Sequence, residues 1–449
     1  MTRQIKLGVI LTGVGGPGDH NRWLDPEIPG DASVDIDWYI ANARLAEAAK
    51  FDLVFIVDSP YITPDTAPHF LNRLEPLTLL SALAATTARI GLVGTLTTSY
   101  WEPFNVARQF ASLDLISKGR AGWNVVTTGL EGAAGNYGRD EHFDHALRYA
   151  RAAEFVDVVK GLWDSYEDDA FPRDKAAGLF LDKSKQHRLD HQGEHFSVTG
   201  PLNIQRSRQG QPVVFQAGDS DQGRQLGAQI SEGVYTNAEN FETAKAYYDD
   251  LKARAVALGR DPDHIVVLPG LVPIIADTVE EARAREEAQT GKLDFEKALH
   301  QLGRPFNYHD FTQYDPDAAF PDVSNLSLNS YKGHAERIVR TAAAEKLTLR
   351  ETVWRFAARR SPFVGTAETV AAEIERWFVG GATDGFNFRV SNPEDFRTFT
   401  QKVVPILQER GLFRTEYEHE TLRGHLGLPI PANRHSVTQE QPLALQAAE

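Results

Sequence analysis

Four polar stretches follow apolar runs, and their residue types suit a polar heterocycle and a phosphate. In SKGRAGWNVVTT (residues 117–128) an apolar run carries Asn124 and finishes in two threonines. An amide side chain donates and accepts at once, which suits a flavin or nucleobase edge. The alternative is that Trp123 is core and Asn124 caps a loop. QAGDSDQGRQLGAQI ends one apolar run and starts a helix around Ser220. A serine there, the following N–H groups and the helix dipole form a phosphate seat, or Ser220 is a plain N-cap. HALRYARAAEF brings His145, Arg148 and Tyr149 onto one helix start. Arg148 suits phosphate; otherwise it makes a surface ion pair and Tyr149 half fills the core. Asp58 directly follows LVFIV, where an acid serves a cofactor edge, a metal or a helix cap.

Other chemistries lack their patterns. No GxGxxG follows the first apolar run, no GxxxxGK[ST] occurs, and there is no GxSxG elbow. His187, His191 and His195 are four apart, but KQHRLDHQGEHFSV is interrupted by Gly193 and reads as an irregular insertion with exposed histidines. No metal site is expected. The 449 residues include no cysteine, so no thiol acts as nucleophile or ligand. A formal charge of −15 argues against nucleic acid and anionic membranes as partners. No apolar run reaches the ~20 residues of a membrane span, and MTRQIKLGVILTG reads as a strand. The expected location is the cytoplasm.

The elements that would position these groups alternate. Strand-like runs cover residues 5–11, 53–57, 90–96, 121–127, 213–218, 233–237, 265–276 and 384–389, with amphipathic helical stretches between most of them. Continuous apolar runs such as LVFIV are typical of parallel strands buried on both faces. Eight βα units favour an α/β fold closed as a (β/α)8 TIM barrel, over a doubly wound open sheet. In a barrel the polar groups at the strands' C-terminal ends share one mouth. Two irregular insertions, about 168–211 and 289–330, interrupt a single domain spanning 1–430. Residues 431–449 read as a flexible tail.

At SKGRAGWNVVTTGLEGAAGNYG and HFDHALRYARAAEFVDVVKGLWDSY the chain resembles the bacterial luciferase-like superfamily. The branch is that of the nitrilotriacetate, dibenzothiophene-sulfone and long-chain alkane monooxygenases. The likeness runs from about residue 4 to 428. It implies a barrel that takes reduced FMN from a separate NAD(P)H:flavin reductase. It implies that O2 reacts there to give a C4a-(hydro)peroxyflavin, which oxygenates a small organic substrate. Carried over by position, the FMN contacts are Asp58, Thr95, Asn124, His145, Tyr149 and Ser220, with Arg148 a further phosphate candidate. Asn124 is assigned to the ring edge and Ser220 to the phosphate. The second insertion is the expected lid, and relatives imply a homodimer or homotetramer.

Two departures stand out. Where relatives often carry a TG-x-DL-x-x-YPLD pattern, this chain reads RPFNYHDFTQYDPD at residues 304–317. Asp219 precedes Ser220 where many relatives have a small residue, and it weakens a phosphate seat unless it points away or pairs with Arg224. His20 and His309 are the candidate catalytic side chains, and Trp23 and Tyr308 the candidate substrate contacts. Relatives oxidise aminopolycarboxylates among other substrates, and such a substrate needs a basic cluster, for which Arg22 and Arg304 are the candidates. The competing readings are a deazaflavin-dependent oxidoreductase and a flavin-binding barrel without turnover.

Overall fold

The eight apolar runs become eight parallel strands: β1 (Lys6–Ile10), β2 (Leu53–Ile56), β3 (Gly91–Thr97), β4 (Ala121–Val126), β5 (Val213–Gln216), β6 (Gly233–Thr236), β7 (Val266–Leu271) and β8 (Gly385–Arg389). Each pairs with its neighbours in sequence, and β8 closes on β1, so the sheet is a complete barrel. This computed structural model describes residues 3–16, 21–291, 294–327, 331–357, 360–390 and 393–436. The fold is α/β, as the alternation of runs implies.

Helices cover the outside: α1 (Ile36–Ala48), α2 (Pro76–Thr86), α3 (Pro103–Ile116), α4 (His145–Trp163), α5 (Asp221–Ile230), α6 (Phe241–Ala257), α7 (Val279–Gly291), α8 (Phe295–Gly303), α9 (Lys332–Glu345), α10 (Leu349–Ala357), α11 (Ala367–Val379) and α12 (Leu422–Leu426). Their starts follow local chemistry. Pro76 opens α2 behind a Glu75 cap, and Asn240 and Thr243 form a reciprocal capping box on α6.

Strand alternation sorts the side chains into two cores. Phe386, Phe388, Trp123 and Val214 face the helices. Phe55, Val93, Phe215 and Leu268 fill the barrel interior. The floor is closed by α12, whose Leu422 and Leu426 join that inner cluster. A Cβ on Gly91 would stand 2.4 Å from Leu422 Cδ1, so these strands come close to the plug because they lack side chains there.

The first insertion lies toward the floor. Ser207 and Gln209 donate to Asp114 at the end of α3, and Gln211 donates to Asp164 after α4. The second insertion is longer than its sequence suggests. Leu299, Leu302, Phe306, Phe311, Ile338 and Val353 form a separate apolar cluster, so α9 and α10 belong to it and it extends to residue 357. The described start of the tail is docked. Asn433 is buried and donates to the carbonyls of Asp164 and Tyr166, and the His435 ring stacks 3.9 Å from His187. Residues 437–449 lie outside the described residues.

Candidate active site

At the mouth of the barrel Thr95 and Asn124 are paired partners on β3 and β4, both buried. Asn124 Nδ2 donates to Thr95 Oγ1 at 3.0 Å. That bond fixes the amide orientation and leaves Asn124 Oδ1 buried with no hydrogen-bond partner. An unsatisfied buried acceptor costs about 1–3 kcal/mol, so it marks a place that suits a donor from a ligand. Trp123, one residue earlier, faces the helices and donates to the Leu96 carbonyl at 3.1 Å. One step above Thr95, the Thr128 hydroxyl donates to Thr97 Oγ1 at 2.6 Å.

The helix start at α4 forms the next wall. His145 is nearly buried, and its ring lies 4.7 Å from that of Tyr149. Arg148 is 1% exposed and its Nη1 donates to the carbonyls of Thr127, at 2.9 Å, and Thr128. The guanidinium is thereby held in place at the ends of the loops after β3 and β4. Burial, then Arg148, then Lys332, push His145 down to about 4, so its imidazole is neutral near pH 7. Close by, His142 Nε2 donates to the Thr128 carbonyl at 3.0 Å, so its Nδ1 accepts from the Tyr100 hydroxyl.

Ser220 caps α5, and its Oγ accepts from Gly223 N at 3.0 Å. The second insertion brings another helix start to the same place. Gly333, in the first turn of α9, lies so close that a Cβ there would stand 2.8 Å from Ser220 N. Two helix N-termini therefore converge, each with unsatisfied N–H groups and positive dipole ends, and Lys332 sits beside them. Asp219 lies beside the same place. Its carboxylate accepts from Thr236 Oγ1 at 2.9 Å, while Arg224 pairs with Asp250 at 2.8 Å.

Asp58, just beyond β2, accepts from Arg73 Nε at 3.1 Å and from Arg73 Nη2. Arg73 Nη2 also donates to the Ser59 carbonyl at 2.7 Å. Asp58 is thus a paired carboxylate at the rim, three strands of the eight away from Ser220.

The insertion reaches the rim at two consecutive residues in the left-handed region, Asn307 (φ 58°) and Tyr308 (φ 59°). Asn307 Nδ2 donates to Glu131 at 2.9 Å, and the Tyr308 hydroxyl lies 3.3 Å from Thr66 Oγ1. The His309 ring turns back into the insertion, 3.1 Å from the Tyr314 hydroxyl and edge-on to Phe311. Trp23 is half exposed beside the buried Arg22, which donates to Thr12 Oγ1 at 3.3 Å. His20 lies outside the described residues. His187 and His191 pair with different acids, Glu167 and Glu154, well apart from the mouth.

Sequence reasoning missed several residues here. Asn387 points into the barrel from β8, fully buried, with neither amide atom bonded. The alternation of GFNFR would have flagged it, since Phe386 and Phe388 face outward. Lys332, Gly333 and Tyr331 gave no such signal, because they follow an irregular stretch.

Residues 17–384 match the family model of luciferase-like monooxygenases. The N-acetyl-S-(2-succino)cysteine monooxygenase of Bacillus subtilis (strain 168) is 45% identical over 97% of this chain and 99% of its own length. Nitrilotriacetate monooxygenase component A of Aminobacter aminovorans is 41% identical, covering 96% and 98%. A crystal structure of long-chain alkane monooxygenase superposes with a TM-score of 0.84 at 30% identity, covering 98% of this chain and all of the other.

Proposed function

The chain belongs to the luciferase-like monooxygenase family, and from that membership we propose that it is the oxygenating component of a two-component system. It takes reduced FMN from a separate NAD(P)H:flavin reductase and uses O2 to place one oxygen atom on a small organic substrate. Reduced FMN supplies the electrons that activate O2. The observation that carries the reading is Asn124 Oδ1, a buried acceptor without a partner at the barrel mouth. A ring N–H of the flavin satisfies it.

The remaining residues bind, orient and exclude water. Ser220, the α5 start and the α9 start receive the phosphate, with Lys332 and Arg148 supplying positive charge. Neutral His145 and Tyr149 present ring faces rather than a competing acid. Asn307 and Tyr308 tie the insertion over the mouth, which shields the reacting groups from water. The absence of a dinucleotide motif fits a hydride donor that binds elsewhere, and the relative called component A carries in its name a partner component.

The test is a rapid-mixing experiment on the full chain. The protein is mixed anaerobically with reduced FMN, then with O2, and spectra are followed. A transient distinct from both reduced and oxidised FMN, absent without protein, supports the reading. Direct reoxidation at the rate of free FMN overturns it. A parallel titration in which a deazaflavin binds and FMN does not moves the assignment to a hydride-transfer enzyme.

A further inference from the structure

Three nitrogen-bearing side chains surround the Phe70 ring at the rim. One turn of helix, Pro68–Leu71, carries His69 and Phe70. The Arg73 guanidinium carbon lies 4.3 Å from the Phe70 centroid, that of Arg304 lies 5.8 Å away, and the His69 ring 5.4 Å. Arg73 and His69 come from the barrel side of the mouth; Arg304 comes from the second insertion.

Each of the three has hydrogen-bonding capacity left over. Arg73 uses Nε and Nη2 on Asp58 and Ser59, and its side chain is 9% exposed. Its Nη1 is buried with no partner. His69 is 1% exposed. Ser33 Oγ accepts from Val14 N at 3.1 Å and shares a hydrogen bond with His69 Nδ1 at 2.8 Å. The other ring nitrogen, Nε2, is buried with no partner, and it is a donor in the tautomer whose Nδ1 accepts from Ser33. Arg304 donates to the Tyr331 hydroxyl at 3.2 Å and lies over the Tyr331 ring, and it pairs with no carboxylate among the described residues.

Buried donors without acceptors are costly, and Arg304 brings to the same ring a positive charge with no carboxylate partner among the described residues, whereas Arg73 is paired with Asp58. Both problems vanish when one oxyanion sits among them. A carboxylate matches best, because its two oxygens fit the fork of a guanidinium. The position is also distinct from the phosphate seat proposed at Ser220. In strand order β2, which leads to this cluster, is separated by β3 and β4 from β5, which leads to Ser220.

We propose that the substrate of this enzyme carries a carboxylate, held between Arg304 of the insertion and Arg73 and His69 of the barrel rim. Because the two sides come from different parts of the chain, the carboxylate also draws the insertion onto the mouth. The proposal rests on the monooxygenase reading for the word substrate, but the anion site itself does not.

The test separates the two. The full chain with oxidised FMN bound is titrated with acetate, succinate and tricarballylate, and with dimethyl succinate as the uncharged control, by calorimetry and saturation-transfer NMR. At least one of the acids is expected to bind, with the diester at least ten-fold weaker. Arg304→Gln is expected to weaken the acid at least ten-fold, with FMN affinity within two-fold of wild type and an unchanged melting temperature. Arg304→Lys is expected to fall between. Equal binding of acid and ester, no binding by any of the three acids, or an Arg304→Gln variant that binds them as wild type does, overturns the proposal. Loss of FMN binding in Arg304→Gln also overturns it, by assigning the arginine to the flavin. Acid binding by a protein that fails to bind FMN would leave the anion site standing and remove the functional reading instead.

Discussion

Asn124 Nδ2 and Thr95 Oγ1 are 3.0 Å apart inside the barrel mouth, and this one bond decides which way the amide faces. Its oxygen is left buried and unbonded. Replacing Asn124 with leucine keeps the branching at Cγ and removes the acceptor. FMN affinity is expected to fall ten- to a hundred-fold, or about 1–3 kcal/mol, the value of a buried hydrogen bond. The unliganded variant is expected to melt at or above the wild-type temperature, because an unsatisfied polar atom is gone. Fluorescence titration and thermal denaturation measure both; unchanged FMN affinity would remove Asn124 from the site.

Gly333 supplies a separate check on the phosphate seat. A Cβ at this position meets backbone atoms, Ser220 N at 2.8 Å and the Asp219 carbonyl carbon at 3.1 Å, so α9 must withdraw to make room. Gly333→Ala is therefore expected to weaken FMN at least ten-fold and riboflavin by less than three-fold, since only FMN carries the phosphate. The informative quantity is the ratio of the two dissociation constants. An equal loss for both ligands places the phosphate away from α9.

The sequence made the barrel legible because its signal is redundant. All eight apolar runs recur as strands, and the chain order of the runs is the spatial order of the strands. The polar groups at strand ends were legible for the same reason, since closure sends Asp58, Thr95, Asn124 and Ser220 to one rim. What escaped depends on contacts between distant segments. Gly333 approaches Ser220 across more than a hundred residues, and Arg304 meets Phe70 across more than two hundred. No local period encodes such pairs. Arg73 carries no sequence signal either, because what sets it apart is a buried, unbonded Nη1.

Asn307 and Tyr308 together hold the insertion down in a conformation that non-glycine residues adopt reluctantly. Asn307→Gly relieves the backbone strain and removes the hydrogen bond to Glu131. Overall stability is therefore expected to change by less than about 1 kcal/mol, while the tie to the rim is lost. Amide exchange across residues 304–314 is expected to accelerate, and a larger share of the reducing equivalents to end as hydrogen peroxide. Mass-spectrometric exchange and a peroxide assay read the two effects. An insertion that exchanges at the wild-type rate in this variant is held by other contacts.

His425, in the floor helix α12, tests the electrostatics of the plug. Its Nε2 donates to the Arg89 carbonyl at 2.8 Å, and burial pushes the imidazole down to about 3 from its ordinary 6.5. A histidine depressed in the folded state holds fewer protons than it does unfolded. Its contribution is complete above pH 6.5 and drains away as the pH falls toward 3, by about 1.4 kcal/mol per unit. Asp114 and Asp395, raised to about 6 by burial, act in the opposite sense. Their stabilisation is complete below 3.8 and is lost as the pH rises through 6, so the wild-type profile alone mixes the two. His425→Gln keeps a donor for Arg89 and removes only the titration. Urea unfolding of both proteins between pH 7 and 4.5 isolates the histidine by difference. Wild type is expected to lose stability relative to the variant by about 1.4 kcal/mol per unit below pH 6.5. A difference that stays constant across that range would mean that the α12 plug admits a charged His425 and that the barrel floor is open to water.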